Sequence, residues 1–472
     1  MQVWDKHLVL IIVLSFLYSL FFSYLSILRL YSFNAHYYDL GIMHQVVYNT
    51  YKGHVFEFSN PHLLENTLRS AVHFDLILVP LSIFYFVYPY PETLLVIQSF
   101  LLGFSALFIY LIAKEVLGIK QYAVLIAFVY LFYYPVHFIN LFDFHGVALA
   151  VFFLVSAYYF YLKSEFRLTK TVLILLVLSA LTKENIILLV SVFCFYAFLK
   201  SKDKSNLIAG LVFLVLFVLV VKIIMPYSAR GEFFGGQFYS YSVKDNIDRL
   251  FSNQSLNYIN DVFSPLLFVP FLSLFNLLPA LTEFLKNLLS EKGAMRNLYF
   301  HYLSGSLAFL FISFIFGLRQ ISLLSAIKNK TFMTALIIFI LVVNVFLSFN
   351  RGPLRNISYS VDYKKYQVVT ELAKKYSDYD LKISSSGNLA PFFSGRKYFY
   401  DFSFDPADYN KIKNNPDIIS NKTGFEHADV VILDKSELSN DLVNLIYRQM
   451  LVSGQFKQVF SSNNILVYEK QK

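Results

Sequence analysis

Asp39 is the residue whose type and position most directly suggest chemistry in this sequence. It follows the first long apolar stretch by a few residues, within the run Tyr37-Tyr38-Asp39-Leu40-Gly41-Ile42. A carboxylate at that place can take a proton from an acceptor hydroxyl, which makes Asp39 the candidate catalytic base. Aspartate also favours the residue that caps a helix N-terminus, so the local sequence fits a capping role equally well.

A second set of polar residues lies beside other apolar stretches. Lys183-Glu184 interrupts the apolar run 171–199, and a charged residue at a helix centre costs about 2.5–3.5 kcal/mol to insert. The pair is therefore either a structural ion pair at a helix turn or part of a site. Two histidines have comparable positions: His145 lies in a short turn before an apolar stretch, and His301 opens another together with Tyr302.

Cationic and imidazole side chains near a carboxylate would suit a phosphate-linked substrate, because positive charge stabilises a phosphate as it leaves. The sequence thus predicts a set of substrate- and phosphate-binding residues around Asp39, namely Lys183, Arg296, His145, His73, His301, Tyr302 and Gln45. Glu184 with His145 is a weaker candidate for binding a divalent metal ion, because their spacing is not diagnostic. No other cofactor is indicated.

Composition indicates which elements must position these residues. The chain has 472 residues, of which 57% are hydrophobic and 15% charged, against about 25% charged in soluble domains. A soluble fold cannot bury so much apolar surface, so composition excludes a soluble enzyme and a disordered regulator. The bilayer is the partner of such a chain. Its net charge of +9 fits basic cytoplasmic loops, and no pattern typical of nucleic-acid binding is present.

A bilayer crossing needs roughly 20 apolar residues. Nine spans are predicted, at 8–30, 92–113, 122–139, 146–162, 171–182, 186–199, 206–225, 303–318 and 331–349. Two further apolar stretches, 73–89 and 263–281, are predicted to be re-entrant or interfacial, because the basic loops then all face the cytoplasm. The result is a multi-pass cell-membrane protein with a cytoplasmic N-terminus and a first outer loop at 31–72.

The last 122 residues differ in composition from the rest, because they hold 14 of the 31 acidic residues. This shift predicts a boundary near Asn350, between a transmembrane domain, 1–350, and an extracytoplasmic domain, 351–472. The pattern of the second domain is typical of a small α/β fold. It predicts helices at 363–376 and 437–451, and strands at 382–385, 429–433 and 465–468.

Several motifs carry a resemblance to a known family. The runs Tyr38-Asp39-Leu40-Gly41-Ile42, His73-Phe74, Phe144-His145, Lys183-Glu184 and His301-Tyr302 resemble, in the same order, a prokaryotic family of predicted integral membrane proteins defined as a domain of unknown function. That family is similar in layout to the GT-C glycosyltransferases. The resemblance implies a GT-C-like membrane enzyme that transfers a sugar from a polyprenyl-phosphate carrier to an acceptor on the outer face, with Asp39 at the place of the first-loop catalytic acid.

Two other functions remain open from the sequence. A transporter or flippase for a lipid-linked or anionic solute would place Lys183-Glu184 on the transport path. A non-enzymatic membrane scaffold would use the second domain, 351–472, called the tail below, to bind a partner. The sequence specifies neither the sugar nor the acceptor.

Overall fold

The computed structural model describes residues 5–231, 239, 242–324, 330–403 and 423–471. Within these ranges, eight helices are long and apolar enough to cross a membrane, and one bent pair of helices gives a ninth span. Backbone groups facing lipid find no water, so an apolar stretch satisfies them internally by forming a helix. The eight helices are Lys6–Tyr31, Glu92–Leu117, Gly146–Lys163, Glu184–Ser201, Lys204–Ser228, Val269–Leu289, His301–Leu323 and Lys330–Asn356; the bent pair is Lys120–Leu131 with Tyr134–Leu141.

This architecture confirms the predicted helical membrane fold of about nine spans, with differences in detail. The predicted span 171–182 is the helix Lys170–Ala180, which has 11 residues and is shorter than the roughly 20 that a crossing needs. Within 73–89 the chain forms only the short helical pieces Leu78–Leu81 and Ser82–Phe86. The stretch 263–281 was predicted to be re-entrant or interfacial, but most of it lies in Val269–Leu289, which is long and apolar enough to cross a membrane because its short helical pieces continue into the helix Leu281–Leu289.

The first outer loop contains helices and a hairpin. It begins with a π-helix, Tyr37–Gly41, which continues into the α-helix Ile42–Tyr51. Strands β1 (Glu57–Asn60) and β2 (Glu65–Leu68) then pair antiparallel. Gln45 and Asn49 lie one turn apart in this α-helix and therefore share one face. The hairpin was not predicted, because its two four-residue strands are largely polar and show no alternation.

The tail contains a five-stranded mixed sheet in the order β4-β3-β5-β7-β6. The predicted strands are confirmed as β3 (Ile383–Ser385), β5 (Val430–Asp434) and β7 (Ile465–Lys470), and the sheet is completed by β4 (Phe399–Asp401) and β6 (Phe456–Ser462). Strand β3 pairs parallel with β4 and β5, whereas β7 is antiparallel to β5 and β6. The helices Tyr363–Lys375 and Asp441–Val452 flank the sheet.

The tail and the first outer loop share one hydrophobic core. Buried side chains of the loop, including Tyr37 and Leu40, belong to the same cluster as Ala390, Phe393 and Phe399 of the tail. Burial of apolar surface contributes about 25 cal/mol per Å², so this continuous core stabilises the docking of the two segments. The loop that carries Asp39 therefore has one face against the tail.

Candidate functional site

Asp39, in the segment 31–72, forms a hydrogen-bonded pair with His145, which directly precedes the helix Gly146–Lys163. Its Oδ1 atom lies 3.0 Å from Nε2 of His145. Asp39 belongs to the π-helix Tyr37–Gly41, whose first residue follows His36, and neither this helix nor the next is capped by an aspartate side chain. The capping role that the sequence left open for Asp39 is therefore wrong. The side chain of Asp39 is 28% exposed, which leaves the carboxylate accessible.

Ionisation of Asp39 is favoured by its surroundings. Burial by itself raises the pKa of this carboxyl group, but the hydrogen bond and the charge of His145 lower it. Arg29 and His36 add to the lowering, and the net pKa lies below the ordinary value of 3.8. Asp39 is thus a carboxylate at neutral pH, in the form that accepts a proton.

A second histidine extends this pair. The ring of His301 stacks on that of His145, with centroids 3.6 Å apart and an interplanar angle of 19°. Both ring nitrogens of His301, and Nδ1 of His145, are buried and have no hydrogen-bond partner among the described residues. A buried polar atom without a partner costs about 1–3 kcal/mol, and such atoms commonly mark functional positions. These nitrogens are suited to bind a polar ligand group.

Glu184 forms a hydrogen-bonded pair with His73, the third histidine predicted for the site. Its Oε1 atom lies 3.0 Å from Nδ1 of His73, and its Oε2 atom accepts the backbone N–H of Phe74 at 3.0 Å. The carboxylate therefore fixes the segment 73–74 instead of forming a hydrogen-bonded pair with Lys183, its neighbour in sequence.

Lys183 is the cation of this region that remains available. Its ammonium group has no hydrogen bond or ion pair with the rest of the described chain. Burial lowers the pKa of Lys183, and the charge of Glu184 opposes that effect. Lys183, His73 and Lys286 are close enough to act electrostatically on His301. Lys286 differs from Lys183, because it is paired with Glu283 at 2.7 Å.

The residues described above, Asp39, His145, His301, Glu184, His73 and Lys183, are called the Asp39 cluster. Three helix starts surround this cluster. His145 precedes Gly146–Lys163, Lys183 precedes Glu184–Ser201, and His301 begins the helical segment His301–Leu323. Helix N-termini carry partial positive charge and unpaired N–H groups, and both favour anions. The backbone and Lys183 together make this region attractive to a phosphate.

Residues inside the apolar helices hold the turn that carries His145. Arg29 forms a buried ion pair with Asp143, which has a left-handed backbone with φ of 81°. Gln98 donates from Nε2 to the Asp143 carbonyl at 2.9 Å and accepts the His145 N–H at 2.9 Å. A left-handed non-glycine residue is strained, so Arg29 and Gln98 stabilise the conformation that aims His145 at Asp39. Neither was predicted, although each is a polar residue within an apolar span.

A family model described as "Predicted membrane protein (DUF2079)" matches residues 29–467. The chain belongs to the DUF2079 family. A search of curated proteins found no match.

Solved structures show the fold of this DUF2079 member. The chain is similar to the crystal structure of ArnT from Cupriavidus metallidurans bound to undecaprenyl phosphate, with a TM-score of 0.55, 12% identity, and 97% of each chain covered. The apo state of the same ArnT gives a TM-score of 0.48 at 11% identity, with 91% of this chain and 93% of that one covered. The DUF2079 chain therefore has the GT-C-type fold that its sequence predicts.

Two predicted residues, Gln45 and Arg296, lie outside the cluster in this DUF2079 protein. Gln45 is fully buried, and its amide contacts Ser59 and the Arg396 carbonyl. Arg296 donates to the Ser290 carbonyl and to Gln254, 3.1 Å from its Nη2 atom. These contacts lie outside the Asp39 cluster and occupy the groups that would bind substrate.

Tyr302, another predicted binding residue, lies at the edge of the cluster. The ring of Tyr302 lies beside His301, with centroids 4.4 Å apart, and its carbonyl accepts Asn287 Nδ2 at 3.0 Å. It borders the cluster without a polar contact to Asp39.

Within the described ranges no group of three or more His, Cys, Asp or Glu residues is arranged to hold a metal ion. Glu184 and His145 are each bonded to another residue of the cluster, His73 and Asp39 respectively.

Proposed function

We propose that this protein is a GT-C-type glycosyltransferase that moves a sugar from a polyprenyl-phosphate carrier to a hydroxyl-bearing acceptor. The observation that carries the proposal is the carboxylate of Asp39 bonded to His145, whose ring stacks on His301, with Lys183 close enough to act electrostatically on His301. A base and an anion-binding group within one cluster are what such a transfer requires. Undecaprenyl phosphate bound to the structurally similar ArnT supports a lipid-phosphate carrier.

Asp39 would act as the general base. As the acceptor oxygen attacks the anomeric carbon of the sugar, Asp39 takes the hydroxyl proton through its free carboxylate oxygen. The bond between the anomeric carbon and the carrier phosphate breaks, and the bonding electrons leave with the phosphate. His145 keeps Asp39 oriented and ionised by donating from Nε2. Oriented general bases contribute about 10²–10⁴-fold to such reactions.

Lys183 would stabilise the phosphate as its charge develops. A half-buried ammonium with no other partner is attracted more strongly by an anion than a fully solvated one, because the local dielectric constant is lower. The three helix N-termini add fixed positive dipoles. His301, with both nitrogens unpartnered, is placed to donate to a phosphate or sugar oxygen. The Glu184–His73 pair would hold these groups at their spacing.

The reaction is proposed to occur on the outer face of the membrane. The basic connections 114–120, 163–170 and 200–204 lie at the ends of the spans opposite to the starts that carry His145 and Lys183. Positive loops favour the cytoplasm. By this rule Asp39 and the tail are extracytoplasmic, and the N-terminus is cytoplasmic.

The test is a pair of matched substitutions in full-length protein reconstituted into liposomes. Radiolabelled undecaprenyl-phosphate sugars are supplied as donors, total lipid and glycan extract of the native membrane as acceptor, and the release of undecaprenyl phosphate is measured. Asp39→Asn is expected to lower the rate about 10²–10⁴-fold. Glu57→Gln is the control, because Glu57 lies in the same loop in a half-exposed pair with His54. Equal rates for both variants would refute the proposed base.

Lys183 gives an independent check on the carrier. Lys183→Met is expected to weaken binding of undecaprenyl phosphate at least tenfold, whereas Lys183→Arg keeps most of the affinity because it keeps the charge. Undiminished binding in Lys183→Met would remove Lys183 from the carrier site. Movement of the labelled lipid across the bilayer without breakage of its sugar–phosphate bond would favour the transporter or flippase instead.

A further inference from the structure

A separate cavity of about 390 Å³ lies next to the Asp39 cluster. Its walls come from the helix Tyr134–Leu141, the helix Asn253–Phe263 and the segment 296–299, with Arg351 at the rim. The volume is near the lower end of the range of about 300–1,000 Å³ that small-molecule sites occupy. It therefore suits a ligand group of modest size.

One aromatic layer connects the cavity to the candidate catalytic residues. The ring of Tyr299, on the cavity wall, lies 5.5 Å from that of Phe142, and Phe142 lies 5.4 Å from the ring of His145. A ligand in the cavity is thus one side chain away from the Asp39–His145 pair. An extended molecule can occupy the cavity and reach Asp39 at the same time.

The wall combines aromatic faces with planar polar groups. Tyr299 is 48% exposed and, with Phe138 at 6.2 Å, offers a surface for an apolar ring face. The side-chain amide of Asn257 has no hydrogen-bond partner within the described chain. In Asn297 the amide oxygen accepts the N–H of Tyr299 at 3.0 Å, which leaves the NH₂ group for a ligand.

The two arginines of the cavity already have partners within the protein. Arg351 lies 3.6 Å from Asp261, and Arg296 is bonded to the Ser290 carbonyl and to Gln254. Arg296 has no acidic partner among the described residues, but it is only 8% exposed and its three guanidinium nitrogens all donate to protein oxygens. An anion would have to displace these bonds, and a lipid tail would have to desolvate amides and a carboxylate, which is unfavourable. A neutral molecule with many hydroxyl groups and an apolar ring face meets both conditions, because each amide and carboxylate can bond a hydroxyl.

We propose that this cavity binds a neutral sugar unit of the acceptor. The sugar ring packs on Tyr299, and its hydroxyl groups bond to Asn257, Asn297 and Asp261. The next unit of the same glycan then extends past Phe142 towards Asp39. Assignment of the bound sugar to the acceptor rests on the proposed function, whereas saccharide binding by the cavity does not.

The experiment measures saccharide binding without catalysis. Full-length protein in lipid nanodiscs is titrated with methyl glycosides and trisaccharides of glucose, galactose, mannose and N-acetylglucosamine, and binding is followed by saturation-transfer difference NMR. At least one saccharide is expected to bind. Tyr299→Ala and Asn257→Leu should each weaken it at least tenfold. Tyr363→Ala, at an exposed tyrosine of the tail, is the control and should have no effect.

Two outcomes would overturn the proposal: no saccharide of the panel binds, or both cavity variants bind as tightly as the unmodified protein. Two independent variants are used so that misfolding of one leaves a valid test. Asp39→Asn should bind the saccharide normally. Binding without any transfer activity would therefore refute the proposed function alone, and transfer without binding at this cavity would refute the sugar site alone.

Discussion

Gln45→Leu is expected to loosen the tail from the first outer loop and to leave carrier affinity unchanged. The Nε2 atom of Gln45 donates to Ser59 Oγ at 3.1 Å and to the Arg396 carbonyl at 3.2 Å. Its Oε1 atom accepts the backbone N–H of Ser59 at 3.2 Å. Because Gln45 is fully buried, no water replaces these bonds when they are lost.

The size of the effect follows from the groups left behind. Leucine strands the Ser59 N–H and the Arg396 carbonyl, and each such group costs about 1–3 kcal/mol. Burial of the leucine side chain offsets about 1–2 kcal/mol. The net loss of docking free energy is then about 0–5 kcal/mol, and its midpoint of about 2.5 kcal/mol raises the undocked fraction about 60-fold.

Limited proteolysis measures that fraction. At low protease concentration the cleavage rate follows the population of the open state, so cleavage between residues 351 and 362 should accelerate by the same factor. Gln367→Leu is the matched control, because Gln367 is exposed and contacts only Glu371 of its own helix. Unchanged cleavage in Gln45→Leu, together with weaker binding of undecaprenyl phosphate, would show that Gln45 binds substrate as the sequence predicted.

Two further predictions concern the candidate site and its support. His145→Leu removes the hydrogen bond and the charge that lower the pKa of Asp39. Because the base must be ionised, and the unmodified protein loses it only as pH falls through that lowered pKa, the acid limb of the transfer rate should move to higher pH. An unmoved limb would refute the coupling. Arg29→Met leaves the buried Asp143 carboxylate without its cation, so the protein should lose about 3–5 kcal/mol of stability, seen as a lower unfolding temperature in detergent. Arg29→Met combined with Asp143→Asn should recover much of it, because asparagine is uncharged and tolerates the left-handed backbone at this position. Equal stability of the single and double variants would contradict the ion-pair argument.

Much of the fold was predictable because lipid allows few backbone solutions. A stretch of about 20 apolar residues must form a helix to satisfy its own N–H and C=O groups, so composition alone located most spans. The same logic fails for 263–281, where short helical pieces are packed among other helices and the limits of the segment depend on those neighbours. Tertiary packing, which a single sequence does not display, decides such segments.

The candidate site was predictable where polar residues stand beside apolar helices. Asp39, His145 and His301 meet as that pattern suggested. Partner choice was not predictable: Glu184 bonds His73, which is 111 positions away, because spatial proximity of distant segments cannot be inferred from spacing. Burial was equally hidden, so Gln45 and Arg296 carried the right chemistry in places where it is used internally. Arg29 could have been identified from the sequence, because a charged residue within an apolar span usually has a structural or functional partner.

The position of Asp39 depends on two distant parts of the chain, which explains why an unusual backbone is tolerated there. A π-helix is rare and is found mostly at functional sites. On one side of Tyr37–Gly41, His145 holds the Asp39 carboxylate. On the other side the tail packs closely: a Cβ added to Gly41 would lie 3.4 Å from that of Ala390, and one added to Gly387 would lie 3.6 Å from Nδ1 of His36. The tail therefore has a positioning role, and its sheet supplies the rigid surface against which the first outer loop sets its carboxylate.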